Sequence, residues 1–312
     1  MKKFFSLKWF LPKSSVHFSA VASSAYTKAE NKSVSTQRNY RTAVRSFKKY
    51  LDGKDILIEK LTPKLIEGFA NWLKENNICD NTIACYMKKL RAILNEYFEG
   101  KKEFGYLFKG VTTKMRPTKK RAAKEEDIQK LMSAKSYADN YKEELAIDIA
   151  KFQFLAMGMP FVDIANLKVK DIKDGYFDYY RHKTHVKVHV NINNVLRQII
   201  DKYISKAKGE YLFPIIQDRN DFSNQAHLTL VRYNYQLRKI CKKLDIQTVT
   251  SYVIRHSWAS YAYQNDTKLS VIAKALGHTR TSTTLTYIQG PGDDKVQEAN
   301  DMVLSRFWDY YV

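Results

Sequence analysis

The side chains best suited to chemistry crowd into one stretch near the C-terminal end. Between Thr250 and Gln289 the chain reads SYVIRHSWASY and, 15 residues after its end, LGHTRTSTTLTYIQ. Three groups stand out: Arg255-His256, Leu276-Gly277-His278, and Tyr287, nine residues beyond His278. Arginine presents a fixed fork of donors that fits the oxygens of a phosphate or a carboxylate. A tyrosine hydroxyl, with a pKa of about 10, is a poor nucleophile unless cations lie close by. An arginine, a histidine and a tyrosine together are therefore suited to attack on an anionic centre.

The order and spacing of these groups resemble the tyrosine recombinases, also called the phage-integrase family. The resemblance covers roughly residues 20–310; its C-terminal motifs are specific, whereas the N-terminal part is only consistent with it. It implies transesterification at a DNA phosphodiester. Tyr287 would be the nucleophile, Arg255 would hold a non-bridging phosphate oxygen, and His278 would donate to the phosphate or help manage the tyrosine proton. It also implies a lysine in the turn of a hairpin as general acid for the leaving 5′ oxygen. Lys183, within Arg181-His182-Lys183-Thr184, matches that position; a solvated turn lysine is the plainer alternative. Asp163, in GMPFVDIANL, matches an acidic position that would orient neighbouring groups, with a helix-capping role as the alternative. The 3′-phosphotyrosyl link conserves the bond energy, so neither ATP nor any cofactor or metal is implied. The seven histidines show no HExxH spacing and the cysteines no CxxC.

Two positions depart from the family pattern. The first motif normally carries an arginine two residues after its glycine, or immediately before it; here those positions are Pro160 and Met157. Three residues before Arg255, where histidine is usual, stands Tyr252, which donates a hydrogen bond but carries no charge near neutral pH. Losing a guanidinium opposite a developing anion costs several kcal/mol unless another cation replaces it, since one lost donor already costs ~3 kcal/mol. Arg181 is the nominee. Strand alternation would set it on the same face as Lys183.

Charge supports a polyanionic partner. The 312 residues carry a net charge of +21. Residues 1–122 hold 26 Lys+Arg against 10 Asp+Glu, while the remainder is nearly balanced. A basic front half beside a balanced back half suggests a nucleic-acid clamp joined to a domain with another task; solubility or generic RNA affinity is the alternative. Three cysteines, Cys79, Cys85 and Cys241, fit a reducing compartment and read as buried thiols. The first residues imitate a signal peptide, but Lys8, Pro12 and Lys13 interrupt the apolar run, and no run is long enough to span a membrane. Residues 1–20 read as a basic arm, and the protein as cytoplasmic and nucleoid-associated.

The elements that must position these groups are mainly helical. In residues 21–104, Ser35-Thr36 opens one helix (Tyr40, Val44, Phe47 and Leu51 inward) and Thr62-Pro63 a second (Leu65, Ile66, Phe69, Leu73). Asp80-Asn81-Thr82 opens a third (Ile83, Met87, Leu90, Leu94). Arg38, Arg41, Lys88, Lys89 and Arg91 lie on the outer faces as candidate DNA contacts. Residues 105–122, with six Lys/Arg and no acid, read as a basic linker that follows DNA or merely connects. From residue 123 a second domain opens with acids in a first helical turn, and a long apolar helix from about Asn140 to Met157 stops at Gly158. The only sheet signal is a hairpin, Tyr176–Arg181 and Val186–Asn191. Further helices follow at about 193–207, 222–243, 253–264, 268–275, 281–287 and 294–306. The last, with Val296, Val303, Leu304, Phe307 and Trp308, reads as an exchange helix that joins protomers, with folding onto its own domain as the alternative.

The expected fold is mainly α with a small β-hairpin: a helical core-binding domain followed by a catalytic domain. The expected activity is site-specific recombination of double-stranded DNA by a homo-oligomer, a tetramer on DNA, with accessory DNA-bending proteins as further partners. The competing readings are a type IB topoisomerase that acts alone and a DNA-binding relative with weakened catalysis.

Overall fold

The computed structural model describes residues 16–30, 34–98, 102–116, 118, 122–207, 209–217, 219–288, 290, 297–298 and 300–304. The chain divides into two compact units, Met1–Thr118 and Lys119–Val312.

The first unit is built on α1 (Phe18–Ala29), α2 (Val34–Tyr50), α3 (Pro63–Glu75) and α4 (Asp80–Tyr97). Each helix has an apolar stripe at three-to-four-residue spacing, and burying those stripes against one another forms the core. Phe47, Phe69, Met87, Leu90 and Ile93 are essentially inaccessible to solvent. Thr62 caps α3 by accepting from the Leu65 N–H at 3.1 Å, a contact worth about 1 kcal/mol.

Several local expectations need correction. The basic arm ends before residue 20, because Phe18 opens α1 and is buried against Phe47; residues 1–15 lie outside the described residues. Ser35 and Thr36 lie inside α2 rather than at its cap, and Asp80 is the first helical residue after Cys79. The expected linker from residue 105 begins too early: Lys102–Phe108 forms a 3-10 segment, and Leu107 and Phe108 are buried in the first unit's core. Cys79 is exposed and Cys85 half-buried, so only Cys241 is a buried thiol.

The second unit opens with α5 (Glu125–Met132) and α6 (Tyr141–Leu155), whose N-terminus Asn140 caps through Lys142 N and Glu143 N. A short α7 (Phe161–Asn166) follows, then the hairpin of β1 (Tyr176–Tyr180) and β2 (Lys187–Asn191). The strands pair antiparallel in the register Tyr176↔Asn191 to Tyr180↔Lys187. Their period-two pattern sends Phe177, Tyr179, Val188 and Val190 into the core and leaves the other face to solvent. The remaining helices are α8 (Asn194–Ile204), α9 (Phe222–Lys243), α10 (Ser251–Gln264), α11 (Leu269–Ala275) and α12 (Thr281–Thr284). α6 is buried on most of its surface and forms the hub against which α8, α9 and α10 pack. No helix among the described residues is long and apolar enough to cross a membrane.

In the tail, residues 297–298 and 300–304 are helical, with Met302, Val303 and Leu304 exposed. Val296, Phe307 and Trp308 lie outside the described residues.

Candidate active site

α10 carries most of the site, and its first turn is fixed by buried polar contacts. Thr250 caps it by accepting from Val253 N. Gln153 of α6, fully buried, donates to the Ser251 carbonyl (3.1 Å) and hydroxyl (3.0 Å) and accepts from the Tyr233 hydroxyl. Asn234 accepts from Ser251 N at 2.9 Å. Each buried polar group here is satisfied, so the helix start is held in one place.

That start aims Arg255 inward, where it is only 3% exposed. Its guanidinium donates to the Gly158 carbonyl (2.8 Å), the Leu276 carbonyl (2.7 Å) and His278 Nε2 (3.2 Å). Gly158 is required twice over. Its φ is +67°, and a Cβ there would lie 3.1 Å from the Arg255 Cα. An arginine has no acceptor, so His278 Nε2 must accept and Nδ1 must carry the hydrogen, which points at Thr284 Oγ1 2.9 Å away. Burial, reinforced by the charges of Arg255, Arg181 and Lys183, pulls the His278 pKa down to about 4. The imidazole is therefore neutral at pH 7.

The Tyr287 ring lies among these groups. The Arg255 guanidinium is 5.3 Å from its centroid, and the rings of His278, His256 and Tyr252 lie at 5.0, 4.7 and 5.5 Å. Tyr252 is about half exposed, on the solvent side of the tyrosine.

The hairpin supplies the other flank. Arg181 is 7% exposed and forms an ion pair with Asp163 of α7, which also accepts from His182 N at 2.8 Å. Thr184 donates to the Gly277 carbonyl at 2.9 Å. The turn is thus pinned on both sides of Lys183, which projects exposed between the two anchors. Arg181 passes over Gly277, whose φ is +64° and whose Cβ, if present, would meet the Arg181 Cγ at 2.4 Å. The expectation that Arg181 and Lys183 share a face fails. β1 ends at Tyr180 and the turn intervenes, leaving Arg181 buried and Lys183 exposed. Arg181 depresses the proton affinity of both Arg255 and His278, which sets its charge close to both. Burial is the first cause of the lowered Arg255 pKa, ahead of Arg181.

Arg181 Nε, Arg255 Nε and the Tyr179 hydroxyl are buried with no hydrogen-bond partner among the described residues. Unmet buried donors cost ~1–3 kcal/mol each, a cost that an incoming acceptor removes. Burial is also the largest cause that raises the Tyr179 pKa.

The structure thus gathers Arg255, His278, Tyr287, Tyr252, Arg181 and Asp163, with Lys183 at the edge. Pro160 and Met157 bring no cation: Pro160 caps α7 and Met157 has a φ of +56° in the turn after α6. Sequence reasoning assigned no role to Thr284 and Ser260 and left His256 as a bystander of the motif. The i, i+4 spacing of His256 and Ser260 on one helix was the available signal. The candidate DNA contacts lie elsewhere, in the first unit. Arg38 and Arg41 are on α2, and Lys88, Lys89 and Arg91 on α4; Arg41 and Lys88 are exposed, and Lys89 lies 5.6 Å over the Tyr40 ring.

Comparison with known proteins agrees in both units. Residues 17–101 match the phage integrase SAM-like domain, and residues 121–291, more than half the chain, match the phage integrase family. The tyrosine recombinase XerD of Listeria monocytogenes serotype 4b is 24% identical over 82% of this chain and 88% of its own length. Two solved structures share the fold. The Tn1549 transposon integrase in complex with circular intermediate DNA has a TM-score of 0.68 at 14% identity, covering 92% of this chain and 100% of that one. A lambda integrase dimer bound to a COC' core site has a TM-score of 0.65 at 16% identity, covering 88% and 77%.

Proposed function

The chain belongs to the phage integrase family of tyrosine recombinases, and from that premise we propose that it is a catalytically active one that cuts and rejoins double-stranded DNA with Tyr287 as nucleophile. The observation that carries the reading is the meeting of a buried arginine and a neutral histidine on the ring of Tyr287. The Tyr287 oxygen bonds to phosphorus as the bond to the 5′ oxygen breaks. The phenol proton passes to His278 Nε2, whose lone pair the Nδ1–H tautomer provides and which is freed as the Arg255 donor turns from it to the phosphate. Of the two roles open to His278, proton acceptor is the better supported. Lys183 gives a proton to the departing 5′ oxygen, and its exposed place between two anchored residues gives it the reach. A 5′ hydroxyl from a second strand reverses the step and releases Tyr287, with the bond energy retained throughout.

Arg255 and Arg181 form the phosphate clamp in this reading. Arg181 replaces the arginine missing at Pro160, and its unmet Nε, beside that of Arg255, supports an anion as the missing partner. Asp163 orients Arg181 and the turn rather than reacting. Tyr252 stands where a neutral donor could meet a phosphate oxygen.

Arg38, Arg41, Lys88, Lys89 and Arg91 hold the DNA backbone through the first unit, and assembly into a tetramer uses the C-terminal helix. The exposed Met302, Val303 and Leu304 support that use, and the lambda integrase solved as a dimer on its core site supports assembly on DNA. Accessory DNA-bending proteins are further proposed partners.

A DNA substrate nicked 3′ of the cleavage site tests the reading. The protein is expected to form a covalent adduct that Tyr287→Phe abolishes while DNA affinity stays within about twofold. An adduct that survives Tyr287→Phe refutes Tyr287 as nucleophile. Strand exchange between two sites separates a recombinase from a topoisomerase.

A further inference from the structure

One face of α10 touches the main chain of Tyr287. His256 Nδ1 lies 2.8 Å from the Tyr287 carbonyl oxygen, and Ser260 Oγ, one helical turn on, lies 3.4 Å from the same oxygen. A carbonyl oxygen only accepts, so both groups donate and His256 carries its hydrogen on Nδ1. Both residues are buried, His256 at 5% and Ser260 at 0% exposure. The His256 ring also stacks on the Tyr287 ring at 4.7 Å and 27°, and the Tyr252 ring meets both, edge-on to His256 at 4.4 Å and tilted to Tyr287 at 5.5 Å. The tyrosine is thus held at two points, carbonyl and ring.

This hold comes where local structure runs out. α12 ends at Thr284, and Tyr287 N donates to the Thr284 carbonyl in the last turn. Just beyond that turn the buried side chain of Ile288 packs in a cluster with Ala259, Ile272 and Leu276. Adjacent residues of a helix point about 100° apart. Arg255 and His256 therefore face different ways from one rigid rod, Arg255 toward the Gly158 and Leu276 carbonyls and His256 toward the backbone of Tyr287.

We propose that His256, assisted by Ser260, is a positioning residue that docks the main chain of Tyr287 and so sets the approach of its phenol oxygen to the phosphate held by Arg255. The inference rests on Tyr287 being the nucleophile. Its physical content is geometric: a misplacement of about 1 Å costs on the order of a hundredfold in rate. α10 then acts as a ruler, with the phosphate clamp and the anchor of the nucleophile fixed at neighbouring positions.

The test compares two nucleophiles on the nicked substrate in the full-length protein. With Tyr287 present, His256→Ala is expected to slow adduct formation by about ten- to a hundredfold. His256→Asn, whose amide N–H can take the place of Nδ1–H, is expected to recover more of that rate than His256→Phe, which keeps only the ring stack. In a Tyr287→Phe background, hydrogen peroxide serves as the external nucleophile: its oxygen bonds to phosphorus and the 5′ oxygen leaves with a proton. That reaction needs the clamp but no docked tyrosine, so adding His256→Ala should reduce it by less than about threefold. Equal losses in the two reactions would overturn the proposal, because His256 would then act on the phosphate or the fold. An undiminished tyrosine rate in His256→Ala, or a Phe variant as fast as Asn, would overturn it too. The Asn-against-Phe ranking decides the matter even if peroxide proves inert. An adduct formed by Tyr287→Phe itself would instead defeat the assignment of the nucleophile.

Discussion

The two flanks of the site are built in different ways. On the α10 flank, one continuous helix presents Tyr252, Arg255, His256 and Ser260, and its backbone sets their mutual spacing. On the hairpin flank, Arg181 and Lys183 lie in and beside a turn whose shape depends on side chains from elsewhere, Asp163 below and the Gly277 carbonyl beside it. The first flank is rigid because of local hydrogen bonding, the second because of long-range bonds. In the reading proposed above, where Arg181 stands in for the first-motif arginine, a cation on the hairpin needs a support of its own, and its ion pair with Asp163 would be that support.

Breaking each flank separately should expose that difference. Arg255→Ala removes the central clamp and is expected to cost about a thousandfold in single-turnover cleavage, the upper end for one lost oxyanion contact. A loss under tenfold would shift the main clamp to the hairpin flank. Arg181→Ala should cost at least about tenfold, or ~1.4 kcal/mol, and Arg181→Lys should recover part of it. It also leaves Asp163 buried beside a single backbone donor, so chemical denaturation should report a stability loss of about 3 kcal/mol. The double change Arg181→Met with Asp163→Leu should restore stability but not cleavage. Recovery of both would refute Arg181 as a clamp.

Gly277→Ala is a milder test of the second flank. The added methyl meets the Arg181 side chain and Val188 and imposes φ +64° on a non-glycine residue. Cleavage is expected to fall several-fold through displaced Arg181, alongside ~1 kcal/mol of strain. Unchanged cleavage would show that Arg181 need not sit where it does.

The smallest effect concerns proton affinity. His278 has its pKa lowered to about 4, first by burial, then by Arg255, Arg181 and Lys183. Its folded value lies below its unfolded value of 6.5. The unfolded chain therefore takes up the proton first, and stability is lost as pH falls from about 6.5 toward 4. Arg181→Ala should raise the His278 pKa by removing one of these charges, read by NMR titration of the imidazole. A value unmoved by that change would mean that the hairpin's charge does not reach the histidine.

The helical character of both units and the hairpin strands to within a residue were legible from local periodicity, and the meeting of Arg255, His278 and Tyr287 from the resemblance of their motifs to a known family. α9 follows its apolar pattern from Phe222 to Lys243. Errors gathered at ends and connections. Phe18 and Leu107 are buried in the first unit although each lies in a stretch read as basic: Phe18 opens the apolar stripe of α1, and Leu107 with Phe108 docks a 3-10 segment too short to show a helical period. The same-face expectation for Arg181 and Lys183 failed because alternation holds only while a strand continues, and this one stops at Tyr180.

What the amino-acid order determined by itself is the set of chemical groups, their spacing along each helix and the absence of an arginine at Pro160. Helical geometry converts such spacing into faces without knowledge of the rest of the chain. Only the tertiary structure decided that Asp163 pairs with Arg181, that Arg255 donates to carbonyls at Gly158 and Leu276, and that His256 meets the backbone of Tyr287. Those partners are separated by 18 to 97 residues. No local preference encodes such contacts; they form because a buried donor or acceptor left without a partner is costly once the core has closed around it.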